Sequence, residues 1–396
     1  MKKKVRNLSA LVVAGLTLYV TNGFSVPAIE KDYICPIGKE KFRSIDYSPQ
    51  CPTNKFVMFK NEFTKEELKK YEKIINSKEY KAVPKTSPKE YYLGRFYEIA
   101  GGFSDKEIGE TYYKAYRAQI NWNSENTNIL KESLTKGISY LEKSLPMENK
   151  SEFPWSLAYL YISNKEFDRA NALVEKQDKN IHLERIANFY YSISDVEKSK
   201  ENYYGYDYMD FDKESIDKKT KKEFREKALY YLQDVIKKNK GRYSEEELFR
   251  QVNLYKSLGN ERSIDEIFSK APSEYWSSIV SYYLDEPIRS IGDVYDEKNL
   301  ATENDLKKAL SYADKLVKMI SKNNGADKIQ YNLSIILKAE TERRLGKFEE
   351  ASKTLSKINI TDIKDTIYRY DFERLKELTE KKDSSVREYT PLPIMY

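Results

Sequence analysis

Two cysteines and one histidine are the side chains of this 396-residue chain whose spacing is most informative about chemistry. Cys35 and Cys51 do not form the CxxC pair of a redox enzyme. His182 lies in the helical context Asn-Ile-His-Leu-Glu, and we interpret it as a partly buried or surface side chain rather than a general base. The chain has no Gly-rich phosphate loop, HExxH or GxSxG motif. The sequence therefore predicts no catalytic residue, no cofactor and no enzyme activity.

A tyrosine- and acid-rich stretch at 203–214 contains a cluster of oxygen ligands of the kind that Ca²⁺ prefers. The carboxylates are Asp207, Asp210, Asp212 and Glu214. Their spacing does not fit an EF-hand loop, and no turn glycine lies among them. We favour a solvated loop over a calcium site, so we predict no metal. The region 199–214 is also where the chain could divide into two halves.

Each cysteine opens a Cys-Pro turn that is followed by an aromatic residue. The first segment reads YICPIGKEKF at 33–42 and the second reads CPTNKFV at 51–57. This pattern resembles an uncharacterised bacterial family in which two CPxC knuckles precede helices of tetratricopeptide type. The resemblance extends through Phe63-Thr64 and the following helix, and it returns at 339–351, so that it covers about half of the chain. It implies a small irregular knuckle followed by helical repeats.

The chain departs from that family where the second cysteine of each knuckle would stand, because it has Gly38 and Asn54 there. A structural zinc site needs four ligands, so we exclude zinc. Two sulfurs on one zinc ion would lie less than about 4 Å apart, from which a small movement would form a disulfide. We therefore expect Cys35 and Cys51 to be bridged, with two unpaired buried thiols as the alternative.

The N-terminus has the three parts of a secretory signal. Four basic residues precede an apolar run from Leu8 to Val20, and small residues follow at 25–28. We expect cleavage after Ala28, with cleavage near Ser25 or an uncleaved anchor as alternatives. Asn22, Gly23 and Pro27 interrupt the apolar run before it is long enough to span a membrane as a helix. No later apolar segment is long enough to do so. The sequence predicts an exported protein of the periplasm or cell envelope.

Removal of residues 1–28 changes the charge balance of the chain. The full sequence has 69 Lys and Arg against 63 Asp and Glu, and four of the basic residues lie in the leader, so the mature chain carries about +2. This near-neutral balance gives no reason to expect nucleic-acid binding.

The remainder of the chain reads as a series of helices. Four positions have a capping residue with Glu three residues later, which is the pattern of a capping box. They begin at Thr64, Ser87, Ser104 and Ser244. Further helices are predicted at 131–145, 220–238 and 304–322, whereas 56–59 is the only stretch that we expect to be a strand.

Two segments share a repeat pattern of a small residue, a short turn, an aromatic residue and an alanine. Twelve residues separate the alanines in both. The first copy has Ala158, Phe167 and Ala170, and the second has Ala339, Gly346, Phe348 and Ala351. A weaker third copy is centred on Gly259. We expect these residues to pack helix pairs, as in tetratricopeptide repeats, with an ordinary helical hairpin as the alternative.

The sequence thus predicts an all-α, tetratricopeptide-like α-solenoid. Its segments are a signal peptide at 1–28, a Cys-Pro knuckle at 29–62, a degenerate helical array at 63–382 and an apolar tail at 383–396. We expect the tail to dock on the last helices, with a frayed terminus as the alternative.

By analogy of fold, this architecture indicates a non-enzymatic scaffold or adaptor that binds a protein or peptide in the cell envelope. The alternative is a glycan- or peptidoglycan-fragment-binding protein that uses exposed aromatic residues. Exposure of Trp155, Trp276 and the tyrosines, of which the chain has 34, would distinguish the two.

Overall fold

The computed structural model describes residues 30–121, 127–145, 155–194, 216–284, 301–322, 328–362 and 366–385. Most of these residues are helical, which confirms the all-α helical-repeat fold that the sequence predicts. The helices in these ranges are α1 (Lys65–Ile75), α2 (Lys78–Lys81), α3 (Lys89–Ala100), α4 (Asp105–Asn121), α5 (Thr127–Ser144), α6 (Trp155–Ser163), α7 (Phe167–Glu175), α8 (Lys179–Ile193), α9 (Lys218–Lys238), α10 (Glu245–Ser257), α11 (Glu261–Lys270), α12 (Trp276–Leu284), α13 (Glu303–Ser321), α14 (Lys328–Arg344), α15 (Phe348–Leu355) and α16 (Thr366–Glu380). The signal peptide at 1–28 and the segment 386–396 lie outside the described residues.

The chain divides into two compact units, and the boundary between them lies between Gln177 and Asp178. The possible division that we placed at 199–214 lies outside the described residues. Within each unit, consecutive helices contact each other, as α4 does with α5 and α13 does with α14. Alternate helices also contact each other, namely α4 with α6, α12 with α14 and α14 with α16. This pattern is typical of helical repeats, in which each pair stacks on the next.

The knuckle segment contains the two strands. β1 (Lys31–Ile34) pairs antiparallel with β2 (Lys41–Ser44), and the first Cys-Pro turn joins them. The strand that we predicted at 56–59 is wrong, because only an isolated bridge between Gln50 and Val57 forms there. Phe56 turns inward instead and is fully buried, with its ring 5.6 Å from that of Phe96 on α3. Burial of this aromatic side chain attaches the knuckle to the first helices.

Three of the four predicted capping boxes are present. Thr64 and Ser244 exchange both hydrogen bonds with the glutamate three residues later, and Ser104 does the same with Glu107. The prediction at Ser87 is wrong, because Pro88 is the N-cap of α3 and no side chain caps that helix. Pro88 is itself extended, with ψ of 157°, so the helix starts one residue later than predicted. A fourth box is formed at Thr302 by Asp305, an acid that our pattern did not include.

The helices predicted at 131–145, 220–238 and 304–322 are confirmed as α5, α9 and α13. Close packing in the first unit depends on two glycines, Gly109 in α4 and Gly137 in α5. A Cβ atom at Gly109 would lie 2.7 Å from Cγ and 3.0 Å from the backbone N of Leu141 on α5. A Cβ atom at Gly137 would lie 2.8 Å from Cδ1 of Leu160 on α6, so no larger residue fits without displacement. No helix in the described part of the chain is both long enough and apolar enough to cross a membrane.

Candidate functional site

The two Cys-Pro turns have the same backbone geometry. The N–H of Cys35 and the N–H of Cys51 each donate to the carbonyl five residues later, both at 2.8 Å. The residue four positions after each cysteine, Lys39 or Lys55, has a left-handed backbone, with φ of 60° and 61°. The cysteines form a disulfide and are fully buried. The bridge expected from the sequence is therefore present between two equivalent turns.

Gly38 and Asn54, which replace the second cysteines of the knuckles, lie next to each other. A Cβ atom at Gly38 would be 3.8 Å from Nδ2 of Asn54. That amide donates to the carbonyl of Ile37 at 2.8 Å, and its Oδ1 accepts from the N–H of Phe56 at 3.0 Å. The side chain of Asn54 thus joins the two turns by hydrogen bonds. No group of three or more metal-binding side chains occurs in the described ranges.

The residues of the repeat pattern separate into two groups. All four alanines are completely buried, and Phe167 and Phe348 are half-buried at the starts of α7 and α15. The buried alanines are Ala158, Ala170, Ala339 and Ala351. In contrast, Gly259 and Gly346 are exposed, and a Cβ atom at either position would meet no other atom within 4 Å. These two glycines therefore do not pack helices as we expected.

The same glycines instead form the turns between paired helices. Gly259 and Gly346 have φ of 70° and 73°, and Lys165 has φ of 62° at the equivalent position between α6 and α7. In all three turns, successive N–H groups bond to carbonyls four, three and five residues earlier, which closes the helix in a Schellman motif. The third copy has this turn too, but α9 and α16 end in the same way at Lys240 and Lys382, so the turn is not specific to the repeat. Buried Val252 and Ile264 take the places of its two alanines.

A second repeat, which sequence reasoning missed, involves tyrosine and lysine. We call it the Lys–Tyr–Tyr cluster: a lysine and a tyrosine four residues apart on one helix, and a tyrosine on the preceding helix. In the first copy, Nζ of Lys136 lies 5.2 Å from the ring centroid of Tyr112. The ring of Tyr140 stacks on that of Tyr112 at 6.3 Å with an interplanar angle of 8°. This cluster holds α4 and α5 in register.

The second unit contains two further Lys–Tyr–Tyr clusters. Lys227 lies 5.1 Å from the ring of Tyr190, and Tyr231 stacks on that ring at 5.6 Å. The third cluster has a lysine-to-ring distance of 5.3 Å and a ring-to-ring distance of 6.2 Å. Its members are Lys308, Tyr312 and Tyr283. Stacked aromatic pairs contribute about 0.5–1.5 kcal/mol each, so the clusters stabilise these helix pairs.

The clusters have a signal in the sequence that self-comparison would have found. The lysine-bearing helices read KGISY at 136–140, KALYY at 227–231 and KALSY at 308–312. A small residue follows the lysine in every copy. On the preceding helix, a buried isoleucine lies four residues before each tyrosine. The lysine and tyrosine of each segment are four residues apart, whereas the alanines of the first repeat pattern are 12 residues apart. The alanine pattern therefore does not reveal the clusters.

A carboxylate completes the first and third clusters. Oε1 of Glu98 accepts from the hydroxyl of Tyr140 at 3.0 Å, and its Oε2 lies 2.8 Å from Nζ of Lys136. In the third cluster, Asp265 accepts from the hydroxyl of Tyr283 at 2.6 Å and from Lys308 at 2.7 Å. Each carboxylate is therefore already paired with a cation and a phenol.

Burial holds the protons on these phenols. It raises the pKa of Tyr140 to about 12, and the hydrogen bond to Glu98 contributes in the same direction. Burial likewise raises the pKa of Tyr112 and of Tyr283 far above the ordinary tyrosine value. A phenol with a raised pKa is a poor base or nucleophile at neutral pH. The clusters therefore support helix packing rather than acid–base chemistry.

The second unit also has a cleft lined by cations, which we call the basic cleft. Its volume is about 550 Å³, and the start of α9 and the end of α10 form its walls. It is lined by Lys218, Lys221, Lys222, Arg225, Ser257 and Leu258. Four of these six residues are positively charged and none is acidic. Arg225 donates to the carbonyls of Ser194 and Ser257.

The remaining candidates from the sequence do not gather into a site. His182 is buried in α8, with 5% of its surface exposed. The acidic stretch at 203–214 lies outside the described residues.

The family with two CPxC knuckles resembles this chain in its Cys-Pro turns and in its helix pairs. The two Cys-Pro turns and the helix pair at 339–351 are present in the structure, whereas Gly38 and Asn54 replace two of the four cysteines. Membership of that family stays a prediction from the sequence. In comparisons with family models, curated proteins and solved structures, the chain matches none of them.

Proposed function

We propose that this protein is an exported, non-enzymatic helical-repeat scaffold or adaptor that binds a protein or peptide in the cell envelope. The observation that carries the proposal is the packing of successive helices within each unit, where consecutive helices and alternate helices contact each other. Stacked helix pairs of this kind create extended surfaces that suit peptide or protein ligands. The paired carboxylates and protonated phenols of the Lys–Tyr–Tyr clusters agree with a role outside catalysis.

The glycan-binding alternative has less support. Sugar binding by stacking needs a row of exposed aromatic rings. Trp155 and Trp276 are half-buried. In the described ranges, the tyrosines with more than a third of their surface exposed are Tyr47, Tyr230 and Tyr370. Most of the other tyrosines in these ranges are buried or half-buried, so a protein or peptide ligand is the better proposal.

Export is tested by sequencing the N-terminus of the protein recovered from the envelope fraction. We expect it to begin near Ile29 or Val26, because the small residues at 25–28 provide the cleavage point. Recovery of the chain with Met1 retained would contradict the export part of the proposal.

Partner binding is tested by a pull-down from the envelope fraction with the mature protein as bait. The captured fraction is treated with a protease in one sample and with a glycan-cleaving enzyme in another. A protein partner survives glycan cleavage and is lost on proteolysis. A partner that is lost on glycan cleavage and survives proteolysis would favour the glycan-binding alternative. Capture of no protein and no glycan would contradict both proposals.

A further inference from the structure

The hairpin formed by β1 and β2 has one face turned toward the protein and one toward solvent. Exposed and half-buried residues alternate along 41–47, as the two faces of a strand require. On the inner face, Phe42 packs against the core of the first unit, and its ring stacks on that of Tyr33 at 5.8 Å. The outer face of β2 and the residue after it carries Lys41, Arg43 and Ile45.

Large apolar side chains are concentrated on the exposed surface of this hairpin. Seven large hydrophobic residues are exposed in the described ranges, and three of them belong to the knuckle segment. They are Ile34 at 56%, Ile45 at 59% and Tyr47 at 93% exposure. Ile34 stands opposite Lys41 in the hairpin, so it shares the outer face. Exposed apolar groups gathered in one short segment indicate an interaction surface.

The outer edge of β2 is not paired with any strand in the described part of the chain. The N–H of Cys35 donates to the carbonyl of Glu40, so hydrogen-bonded pairs recur at every second position along the hairpin from there. The N–H and C=O groups of Lys41 and Arg43 therefore point away from β1. This edge can form main-chain hydrogen bonds with an added strand.

The carboxylates of the hairpin all have partners. Glu30 and Asp32 lie 3.1 and 3.4 Å from the guanidinium of Arg43. The other two pairs are Asp46 with Lys89 and Glu40 with Thr53. In contrast, Lys41 has no ion pair with any described residue. The charge at this edge that is not neutralised is therefore positive.

We propose that the outer edge of β2 binds an extended acidic segment of a protein partner as an added β-strand, an inference that rests on the scaffold function proposed above. Carboxylates of the added strand lie beside Lys41 and Arg43 on the outer face, and an apolar side chain covers Ile45. Main-chain hydrogen bonds provide affinity, and these side-chain contacts provide specificity. Lysine on an edge strand also disfavours nonspecific pairing, so the partner must supply the opposite charge.

A second copy of this chain fits the edge less well. Antiparallel pairing centred on Phe42 places Lys41 of one copy opposite Arg43 of the other. Pairing centred on Arg43 places the two arginines opposite each other. Like charges that are directly opposite destabilise a sheet. Charge complementarity therefore favours an acidic segment of another protein.

The test is a binding titration of the mature chain with a short, fluorescently labelled peptide of alternating glutamate and valine. Alternation places all the carboxylates on one face of the added strand. The edge variant is Lys41→Glu, and the control variant is Lys70→Glu, which makes the same charge change at an exposed position on α1. We expect the edge variant to bind about tenfold more weakly and the control to bind as the unmodified chain does.

A second peptide separates strand addition from simple charge attraction. It has the same sequence but is N-methylated at its glutamates, whose N–H groups face the edge when they lie opposite Lys41 and Arg43. Its charge is unchanged, and we expect it to bind the unmodified chain at least about tenfold more weakly. This measurement needs no variant to fold. Equal affinity for the two peptides would overturn the proposal, as would equal weakening in both protein variants.

The partner captured from the envelope separates this inference from the scaffold function. If it loses affinity for the edge variant alone, the assignment of the edge is supported. If it binds both variants equally, the edge is not its site and the assignment fails, while the scaffold function stands. Self-association of the unmodified chain that Lys41→Glu abolishes, measured by analytical ultracentrifugation, would assign the edge to a second copy and overturn the proposal.

Discussion

At the scale of single residues, Arg343 is the largest side chain that is completely buried in the described part of the chain. Its Nε and Nη2 contact the two carboxylate oxygens of Glu340 at 3.0 and 2.7 Å. The same guanidinium donates to the carbonyls of Asp383 and Ser385, the latter at 2.8 Å. Arg343 therefore ties α14 to the beginning of the C-terminal tail. Whether residues 386–396 dock, as we predicted, lies outside the described residues.

We expect Arg343→Met to lower the free energy of unfolding by about 3–5 kcal/mol, because it leaves the buried carboxylate of Glu340 without its cation. The measurement is urea unfolding followed by circular dichroism. The double variant Arg343→Met, Glu340→Gln should recover part of the loss, since it removes the unpaired charge. A single variant no less stable than the double would contradict the importance of the pair.

The disulfide leads to a second prediction at this scale. Cys51→Ser opens a loop of 15 residues between the cysteines, for which the chain-entropy relation gives a loss of about 3 kcal/mol. The unfolding of the variant is compared with that of the unmodified chain to which a reductant has been added. We expect the reduced chain to be destabilised by a similar amount. Two thiols that react with an alkylating agent before reduction would show that the bridge is absent.

At the scale of elements, the turns between paired helices determine how each pair closes. The central residue is left-handed in all three, and it is glycine in two of them and Lys165 in the other. A left-handed backbone is costly for any residue with a Cβ atom. Glycine avoids this cost at two of the turns, whereas Lys165 bears it, as do Lys240 and Lys382 at the ends of α9 and α16.

We expect Lys165→Gly to raise the free energy of unfolding by about 0.5–1 kcal/mol, since the relief of strain exceeds the entropy cost of glycine. Gly346→Lys should lower it by a similar amount. Chemical denaturation of the two variants measures both effects. Lys353→Gly, within α15, is the control and should cost about 1 kcal/mol. Destabilisation by Lys165→Gly would show that the strain is relieved elsewhere.

At the scale of the whole molecule, tyrosine is the residue that fills the spaces between helices in both units. Burial raises the pKa of Tyr97 and Tyr140 in the first unit to about 12, and it does the same for Tyr275 in the second. The ordinary tyrosine pKa is about 10. A tyrosine whose pKa is higher in the folded protein than in the unfolded chain stabilises the folded state. This stabilisation is complete when the pH is below the pKa of the unfolded chain, and it is lost as the pH rises through the pKa of the folded protein.

We therefore expect stability to fall between about pH 10 and pH 12 as the unfolded chain ionises its tyrosines first. The measurement is the denaturation midpoint as a function of pH, together with the phenolate absorbance. Tyr140→Phe should reduce the slope in this window, whereas Tyr47→Phe should not, because that ring is 93% exposed. Equal slopes in both variants would contradict this role of Tyr140.

The sequence by itself determined the features that depend on neighbouring residues. The caps at Thr64, Ser104 and Ser244 were predictable because each hydrogen bond spans three residues. The prediction at Ser87 failed because Pro88 is itself extended and takes the N-cap position. The all-α class and the alanines of the repeat follow from the same local patterns.

Only the tertiary structure decided which side chains meet across helices. The stacking of Tyr112 on Tyr140 depends on how α4 and α5 pack. Arg343 finds its carbonyl partner 40 residues later, at Asp383. The basic cleft likewise exists because α9 begins beside the end of α10. These contacts are made by residues that are distant in sequence, so packing, rather than spacing along the chain, determines them.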